Sequence, residues 1–279
     1  MKTHKLINFG SNYLKESGIL SNRLDSEVLL SHIMGISRES LLVDEKNIKE
    51  NNIRKFKSLI LRRSKHEPIA YITKNKEFRS VNFFVNKNSL IPRPETELLI
   101  DPLRKIFKNR KLFFLDAGTG TGCITFAILN EIKHSKGVGI DISNHTLSNA
   151  KINLQKFKNR VKLLRKSIDN IQNIKFDLVI SNPPYVIKRE INRLSGDIKK
   201  FEPRIALDGG NDGLDVIKKI IYKSKYILRL NGILALEIGN GQYLSVRNIL
   251  KKNNFRVEQI IKDYKNNVRC IISTLLKKN

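Results

Sequence analysis

Apolar positions recur at helical spacing near the start of the chain, at Val28, Leu29, Leu30, Ile33 and Met34 and again at Ile53, Phe56, Leu59 and Ile60. Residues 1–67 contain no proline. Ser26 to Leu30 and Asn47 to Ile60 therefore read as parts of amphipathic helices, with Ser37-x-x-Ser40 as a turn and cap between them. The pattern fits a small helical bundle, and leaves open whether it is a structural appendage or a module that docks a partner. From Glu67 the texture changes. Pro68, Pro92 and Pro94 appear, together with a short β-rich run at Ser80 to Val85. Ile91-Pro92-Arg93-Pro94 stiffens a connector, and Glu95 and Glu97 suit the first turn of a helix beyond it.

Past Lys111 the pattern alternates. Apolar runs at Leu112–Asp116, Gly137–Ile142, Val161–Leu164, Phe176–Ser181, Gly232–Ile238, Phe255–Ile261 and Val268–Leu275 have strand length. Helical stretches such as Ile124–Ile132, Ser143–Phe157, Leu214–Ile227 and Tyr243–Lys252 lie between them. This alternation predicts a doubly wound, mostly parallel seven-stranded sheet. The last two runs are joined by Lys262 to Asn267, too short for a crossover, so the final strand is expected to run antiparallel to its neighbour. The domains expected are a helical module over 1–75, a hairpin and proline-rich linker over 76–95, and an α/β domain over 96–279.

Composition narrows the class. The chain has 279 residues and two cysteines, Cys123 and Cys270, too few for a disulfide framework, so a reducing compartment is expected. No apolar stretch approaches the roughly 18 residues of a membrane helix, and the N-terminal segment lacks a signal-peptide core. A cytoplasmic location is the expectation. The net charge of +27 invites a nucleic-acid reading. It comes with 35 Lys, 29 Asn and 37 Ile, all residues with AT-rich codons, and no run of five basic residues occurs. Charge alone does not decide the partner.

The candidate chemistry sits at strand ends. Leu112–Asp116 runs into Gly118-Thr119-Gly120-Thr121-Gly122 and then an apolar helix, so the glycines let a ligand approach the helix N-terminus. Asp141 ends the second strand, where an acid accepts hydrogen bonds from a ribose. The last two glycines are two apart, whereas a dinucleotide fingerprint has them three apart. This spacing suits a nucleoside without a pyrophosphate, such as S-adenosyl-L-methionine. The fourth α/β strand ends in Asn182-Pro183-Pro184-Tyr185. The prolines remove backbone donors and stiffen the turn. The Asn182 amide and the Pro183 carbonyl then offer two acceptors to one planar NH₂, with the Tyr185 ring available for stacking. Asp116 is expected to order the glycine loop. His134 and His145 fall near the predicted crevice but show no partner pattern, and no metal is called for. Arg93 reads as a linker anchor.

Asp-x-Gly-Thr-Gly-Thr-Gly with Asn-Pro-Pro-Tyr on a seven-stranded sheet resembles the class I methyltransferases that act on planar nitrogens. Glu67-Pro68-Ile69-Ala70-Tyr71, the block Leu90 to Glu97, Phe201-Glu202-Pro203 and Asp263-Tyr264 with Arg269 narrow the likeness to the peptide chain release factor glutamine N(5)-methyltransferases. The resemblance implies a class I fold behind a helical N-terminal domain, and methylation of the glutamine in the Gly-Gly-Gln loop of release factors, tuning translation termination. It implies that Gly118 to Gly122 hold the methionine end of S-adenosylmethionine and Asp141 its ribose. Asn182, Pro183, Pro184 and Tyr185 would hold the substrate, with Asn182 also beside the cofactor and Asn182, Pro183 and Tyr185 catalytic. A monomer is expected, with no direct nucleic-acid substrate and no membrane. Two departures stand out. Lys74 occupies a position where the family usually has glycine, so a looser turn is expected. Ser167-Ile168 stands where an acid or amide followed by an aromatic is usual, so adenine would pack on an aliphatic side chain. The rivals are a nucleic-acid nitrogen methylase and a binding module that retains only the cofactor fold.

Overall fold

The computed structural model describes residues 1–277; residues 278 and 279, the end of the stretch assigned above to the α/β domain, lie outside the described residues. Contacts divide the chain into two compact units. Met1–Asn75 with Ser195–Phe201 form one, and the remainder forms the other. No helix among the described residues is long and apolar enough to cross a membrane.

The first unit contains α1 (Thr3–Glu16), α2 (Asn22–Met34), α3 (Arg38–Val43), α4 (Glu50–Ser64) and α5 (Ile69–Thr73). Leu6, Leu14, Leu29, Leu30, Phe56 and Ile60 form its core, each 2% exposed or less. Ser37 caps α3, its hydroxyl accepting the Ser40 N–H at 3.2 Å. Helix α4 starts at Glu50, later than the apolar spacing suggests, because Asn47 bridges Lys2 in antiparallel fashion and the Ile48 N–H donates to the Met1 carbonyl. The short helix Gly196–Phe201 joins this unit through Arg63. That buried guanidinium reaches Asp25 at 2.7 Å and Asp197 at 2.9 Å.

The second unit, from Lys76, opens with a hairpin of β1 (Asn75–Phe78), whose first residue closes the first unit, and β2 (Val81–Phe84). Its two-residue turn places Arg79 and Ser80 at φ 49° and 56°. The strained turn is clamped: the Arg79 side chain bonds Asp101 and Glu131, and its main-chain N–H donates to Glu97 at 3.0 Å. After α6 (Ile100–Ile106) come β3 (Leu112–Ala117), α7 (Cys123–Glu131), β4 (Ser135–Asp141), α8 (Asn144–Asn153), β5 (Val161–Arg165) and β6 (Phe176–Ser181). The helix Gly196–Phe201 counts as α9, and α10 (Asp215–Ile227), β7 (Leu228–Glu237), α11 (Tyr243–Lys252), β8 (Phe255–Lys262) and β9 (Val268–Leu275) follow among the described residues. Helix α8 stops at Asn153, short of the expected Phe157, and the chain continues as a 3₁₀ turn over Gln155–Phe157.

The sheet order is β5-β4-β3-β6-β7-β9-β8. Strands β3 to β7 pair in parallel, while β9 runs antiparallel to both β7 and β8. The expected seven-stranded sheet with an antiparallel last strand is thus found. Its central strands are apolar on both faces. Phe114, Leu178, Ile180 and Ala235 point into one helical layer, and Leu115, Val179, Leu234 and Leu236 into the other. This period of two with both sides buried is what a helix-covered parallel sheet requires.

Lys74, where a glycine was anticipated, caps α5 in the left-handed conformation at φ 56° and ψ 27°. The turn keeps the geometry glycine favours, and a lysine occupies it. A side chain in this region costs roughly 1–2 kcal/mol, partly offset by the greater backbone entropy glycine loses on folding. Lys74→Gly is therefore expected to stabilise the protein by about 0.5–1 kcal/mol. The check is a higher urea midpoint with an unchanged denaturant slope.

Candidate active site

Residues at the carboxyl ends of β3, β4, β6 and β7 gather on one side of the sheet, because parallel strands bring equivalent ends together. The ends of β3 and β6 are tied directly, the Ser181 hydroxyl donating to the Ala117 carbonyl at 2.6 Å. A cavity of about 580 Å³ opens there. That volume lies within the roughly 300–1,000 Å³ typical of small-ligand sites.

The glycine loop forms one wall. Gly118, Gly120 and Gly122 have φ of 75°, 58° and 81°, which other residues rarely adopt. A Cβ at Gly118 would meet nothing within 4 Å, so this backbone faces open space. Gly122, expected beside the donor, does not line the cavity: a Cβ there would meet the Leu154 side chain at 2.9 Å, so this glycine serves close packing of the loop against the interior. The loop is ordered from beneath by Asp116. One of its carboxylate oxygens accepts the Thr119 hydroxyl at 2.8 Å and the Thr125 hydroxyl at 2.6 Å. Full burial pushes the Asp116 carboxyl up to about 6, against the pull of those hydroxyls. Cys123 lies at the start of α7, buried, its thiol pushed up to about 12 by desolvation. It behaves as a small core group.

Asp141 ends β4 against this loop. Its carboxylate accepts the Gly120 N–H at 3.2 Å and the Ser143 N–H at 3.0 Å. Burial raises its pKa above the usual aspartate value while these N–H groups oppose the rise. Each oxygen keeps a lone pair, as acceptance of ribose hydroxyls requires. Ser167 and Ile168 line the cavity further along, with Ile168 buried and Ser167 capping its own turn. His134 and His145 are not among the lining residues.

Asn182, Pro183 and Pro184 line the same cavity. The Asn182 Nδ2 donates to Thr96 Oγ1 at 2.9 Å, and that hydroxyl donates to Glu237 Oε2 at 2.5 Å. Tyr185 turns elsewhere and is not a lining residue. Its hydroxyl donates to Glu237 Oε1 at 3.1 Å and accepts from the Arg269 Nη2 at 3.1 Å. The Arg269 guanidinium lies 5.6 Å from the tyrosine ring centre. Burial, then the neighbouring Glu237, pushes the Tyr185 phenol up to about 12. Glu237 is itself fully buried, and its pKa is raised by that burial. The backbone of the tetrapeptide is pinned by Gln242, whose amide donates to the Tyr185 carbonyl at 3.0 Å.

Several functional groups escaped the sequence reading. Thr96 lies in the quoted proline-rich block, but nothing local marks its hydroxyl. Glu237 carried a faint signal, one acid in the apolar run Gly232–Ile238 at its carboxyl end. Arg204 and Lys219 reach the cavity from turns and helices with no distinguishing pattern. Arg93 does anchor its segment, donating to buried Glu202 at 2.5 Å, and Glu202 also accepts the Ile91 N–H at 3.1 Å. Arg93 lines the cavity as well.

Comparison with known proteins agrees with this architecture. Residues 5–73 match the PrmC N-terminal domain family, and residues 94–196 match the methyltransferase small domain family. Among solved structures, a methyltransferase from Pyrococcus furiosus superposes with a TM-score of 0.54 at 16% identity, covering 79% of this chain and 98% of that one. A ribosomal protein L11 methylase from Lactobacillus delbrueckii subsp. bulgaricus gives 0.50 at 16% identity, covering 66% and 80%. These likenesses concern the fold. A bifunctional methyltransferase from Rickettsia conorii is 33% identical over 99% of this chain, which spans 58% of that protein's length. The release factor glutamine methyltransferase of Clostridium acetobutylicum is 38% identical, covering 93% of this chain and 94% of its own length. That of Buchnera aphidicola is 39% identical, covering 92% and 94%. Matched to such relatives over nearly their full length, the chain belongs to the release factor glutamine methyltransferase family.

Proposed function

We propose that this protein transfers a methyl group from S-adenosyl-L-methionine to the side-chain amide nitrogen of the glutamine in the Gly-Gly-Gln loop of a peptide chain release factor. The observation that carries the reading is the meeting of the glycine loop, Asp141 and Asn182-Pro183-Pro184 on one cavity. Gly118, Thr119, Gly120 and Thr121 offer backbone room for the methionine end of the donor, Asp141 acceptors for its ribose, and Ile168 an apolar face for its base. Bound there, S-adenosylmethionine supplies an electrophilic methyl on a sulfonium.

The chain's own task is to make a poor nucleophile competent. An amide lone pair is delocalised into its carbonyl. Two acceptors on the NH₂ group, the Asn182 Oδ1 and the Pro183 carbonyl, favour the nitrogen as positive charge builds on it. This help is greatest in the transition state. In-line alignment of nitrogen and methyl contributes as well, and well-oriented pairs gain about 7–11 kcal/mol. The methylated nitrogen is acidic and gives its proton to solvent, so no strong general base is required.

Residues 1–75 would serve as the docking module, 76–95 as the connector and 96–279 as the catalytic domain. The N-terminal 85 residues carry 16 basic and 9 acidic side chains, which suits an acidic surface on the factor. The reading further takes the protein as a cytoplasmic monomer with no direct nucleic-acid substrate. Two buried free cysteines suit a reducing compartment.

Asn182→Ala is expected to lower kcat by about 10²–10³-fold, the range seen when one transition-state hydrogen-bonding group is removed. Its affinity for S-adenosylmethionine, measured by calorimetry, should stay close to that of the parent. Loss of donor binding would assign Asn182 to the donor instead. Asp141→Asn should weaken donor binding by about tenfold or more, since a hydrogen bond to a charged acceptor contributes roughly 1.5–3 kcal/mol. Because burial raises the Asp141 pKa, its carboxylate is lost earlier than usual as pH falls. Donor affinity of the parent should then decline on acidification, while that of Asp141→Asn changes less over the same range.

A further inference from the structure

Thr96 and Glu237 lie behind the acceptors just described. Thr96 is 2% exposed and Glu237 fully buried. Their hydrogen bonds run in one direction only. An ionised carboxylate accepts and cannot donate, and a threonine hydroxyl carries a single hydrogen. With that hydrogen on Glu237 Oε2, Thr96 Oγ1 has only lone pairs for Asn182. It must therefore face the Nδ2, at 2.9 Å. The Asn182 Oδ1 is then the end of the amide left for the cavity. The other Glu237 oxygen takes the Tyr185 hydroxyl at 3.1 Å, and the Arg269 Nη2 lies 3.8 Å from it, a cation that favours the ionised carboxylate despite burial.

We infer that Glu237 and Thr96 are positioning residues: the buried carboxylate, acting through the threonine hydroxyl, sets the direction of the Asn182 amide so that its oxygen meets the substrate NH₂. The same carboxylate holds Tyr185, so one group orients both ends of Asn182-Pro183-Pro184-Tyr185. A reversed Asn182 amide would set its own NH₂ against the substrate NH₂, donor against donor, and the acceptor would be lost without any change of shape. Gln242 secures the backbone of the segment but has no bond to the Asn182 side chain, so amide direction rests on the Thr96–Glu237 pair. The inference depends on Asn182 being the substrate-amide acceptor.

The test uses the full chain, a purified release factor and labelled S-adenosylmethionine. Glu237→Gln and Thr96→Val, both close to isosteric, are each expected to lower kcat by about tenfold or more, the scale of one charge-assisted hydrogen bond. The KM for S-adenosylmethionine should stay within about twofold, because neither change touches the glycine loop or Asp141. Thr96→Ser keeps the hydroxyl and should restore turnover. A paired change reads direction itself. Glu237→Gln brings an NH₂ that donates to Thr96, turning the hydroxyl hydrogen toward position 182, and Asn182→Asp has an oxygen there to accept it. The double variant should therefore turn over faster than Asn182→Asp alone, whereas a purely structural Glu237 would make it slower.

Asn182→Ala with parental turnover would remove the reading on which the inference rests. Asn182→Ala inactive, with Glu237→Gln and Thr96→Val both within about twofold of the parent, would overturn the inference alone. A double variant no faster than Asn182→Asp would also overturn it. If Glu237→Gln does not fold, the comparison of Thr96→Val with Thr96→Ser decides by itself.

Discussion

Parallel pairing is the constraint on which the site depends. Strands β3, β4, β6 and β7 run the same way because each connection carries the chain back to the amino end of the sheet before the next strand begins. Their carboxyl ends must then lie side by side, and whatever residue ends each strand is delivered to a common crevice. The glycine loop, Asp141, the Asn182 tetrapeptide and Glu237 come from four separate strand ends spread over more than a hundred residues of sequence. No local signal has to bring them together. The antiparallel β9 takes part too, for it pairs with β7 and carries Arg269 and Cys270 opposite Glu237.

Electrostatics at this edge is arranged in two tiers. Near the donor end, Asp116 and Asp141 are both raised by burial but differ in company. Asp116 is enclosed, with one oxygen held by two threonine hydroxyls and the other buried without a partner among the described residues, so it shapes the loop, while Asp141 is only partly covered and keeps acceptor capacity toward the cavity. At the acceptor end, Glu237 is a buried acid compensated by Thr96, Tyr185 and, more distantly, Arg269. A buried polar network of this kind is favourable only when its members are satisfied, which also fixes each member's orientation. The chemistry then needs only fixed acceptors beside an aligned nitrogen.

Much of this was legible in the chain because motif and strand end coincide. The seven apolar runs, the short last connection and the glycine spacing led to the sheet and its crevice without tertiary information. Gly118 to Thr121, Asp141 and Asn182 to Pro184 all reach the cavity wall, whereas Gly122 packs against Leu154 and Ala150. Tyr185 was less legible: an aromatic ring beside a candidate substrate suggests stacking, yet the nearest buried carboxylate captures its hydroxyl. Thr96 was out of reach because its partners are 86 and 141 residues away. At Lys74 the expectation of a loose turn gave way to a left-handed cap, since tertiary packing can hold a lysine where local energetics prefer glycine.

The most direct measurement is transfer of labelled methyl to a purified release factor, set beside its Gly-Gly-Gln to Gly-Gly-Ala variant, duplex DNA and ribosomal RNA. The account predicts label on the parental factor alone, released as N(5)-methylglutamine on digestion. Label on the nucleic acids, or on the variant factor as strongly as on the parent, would contradict it.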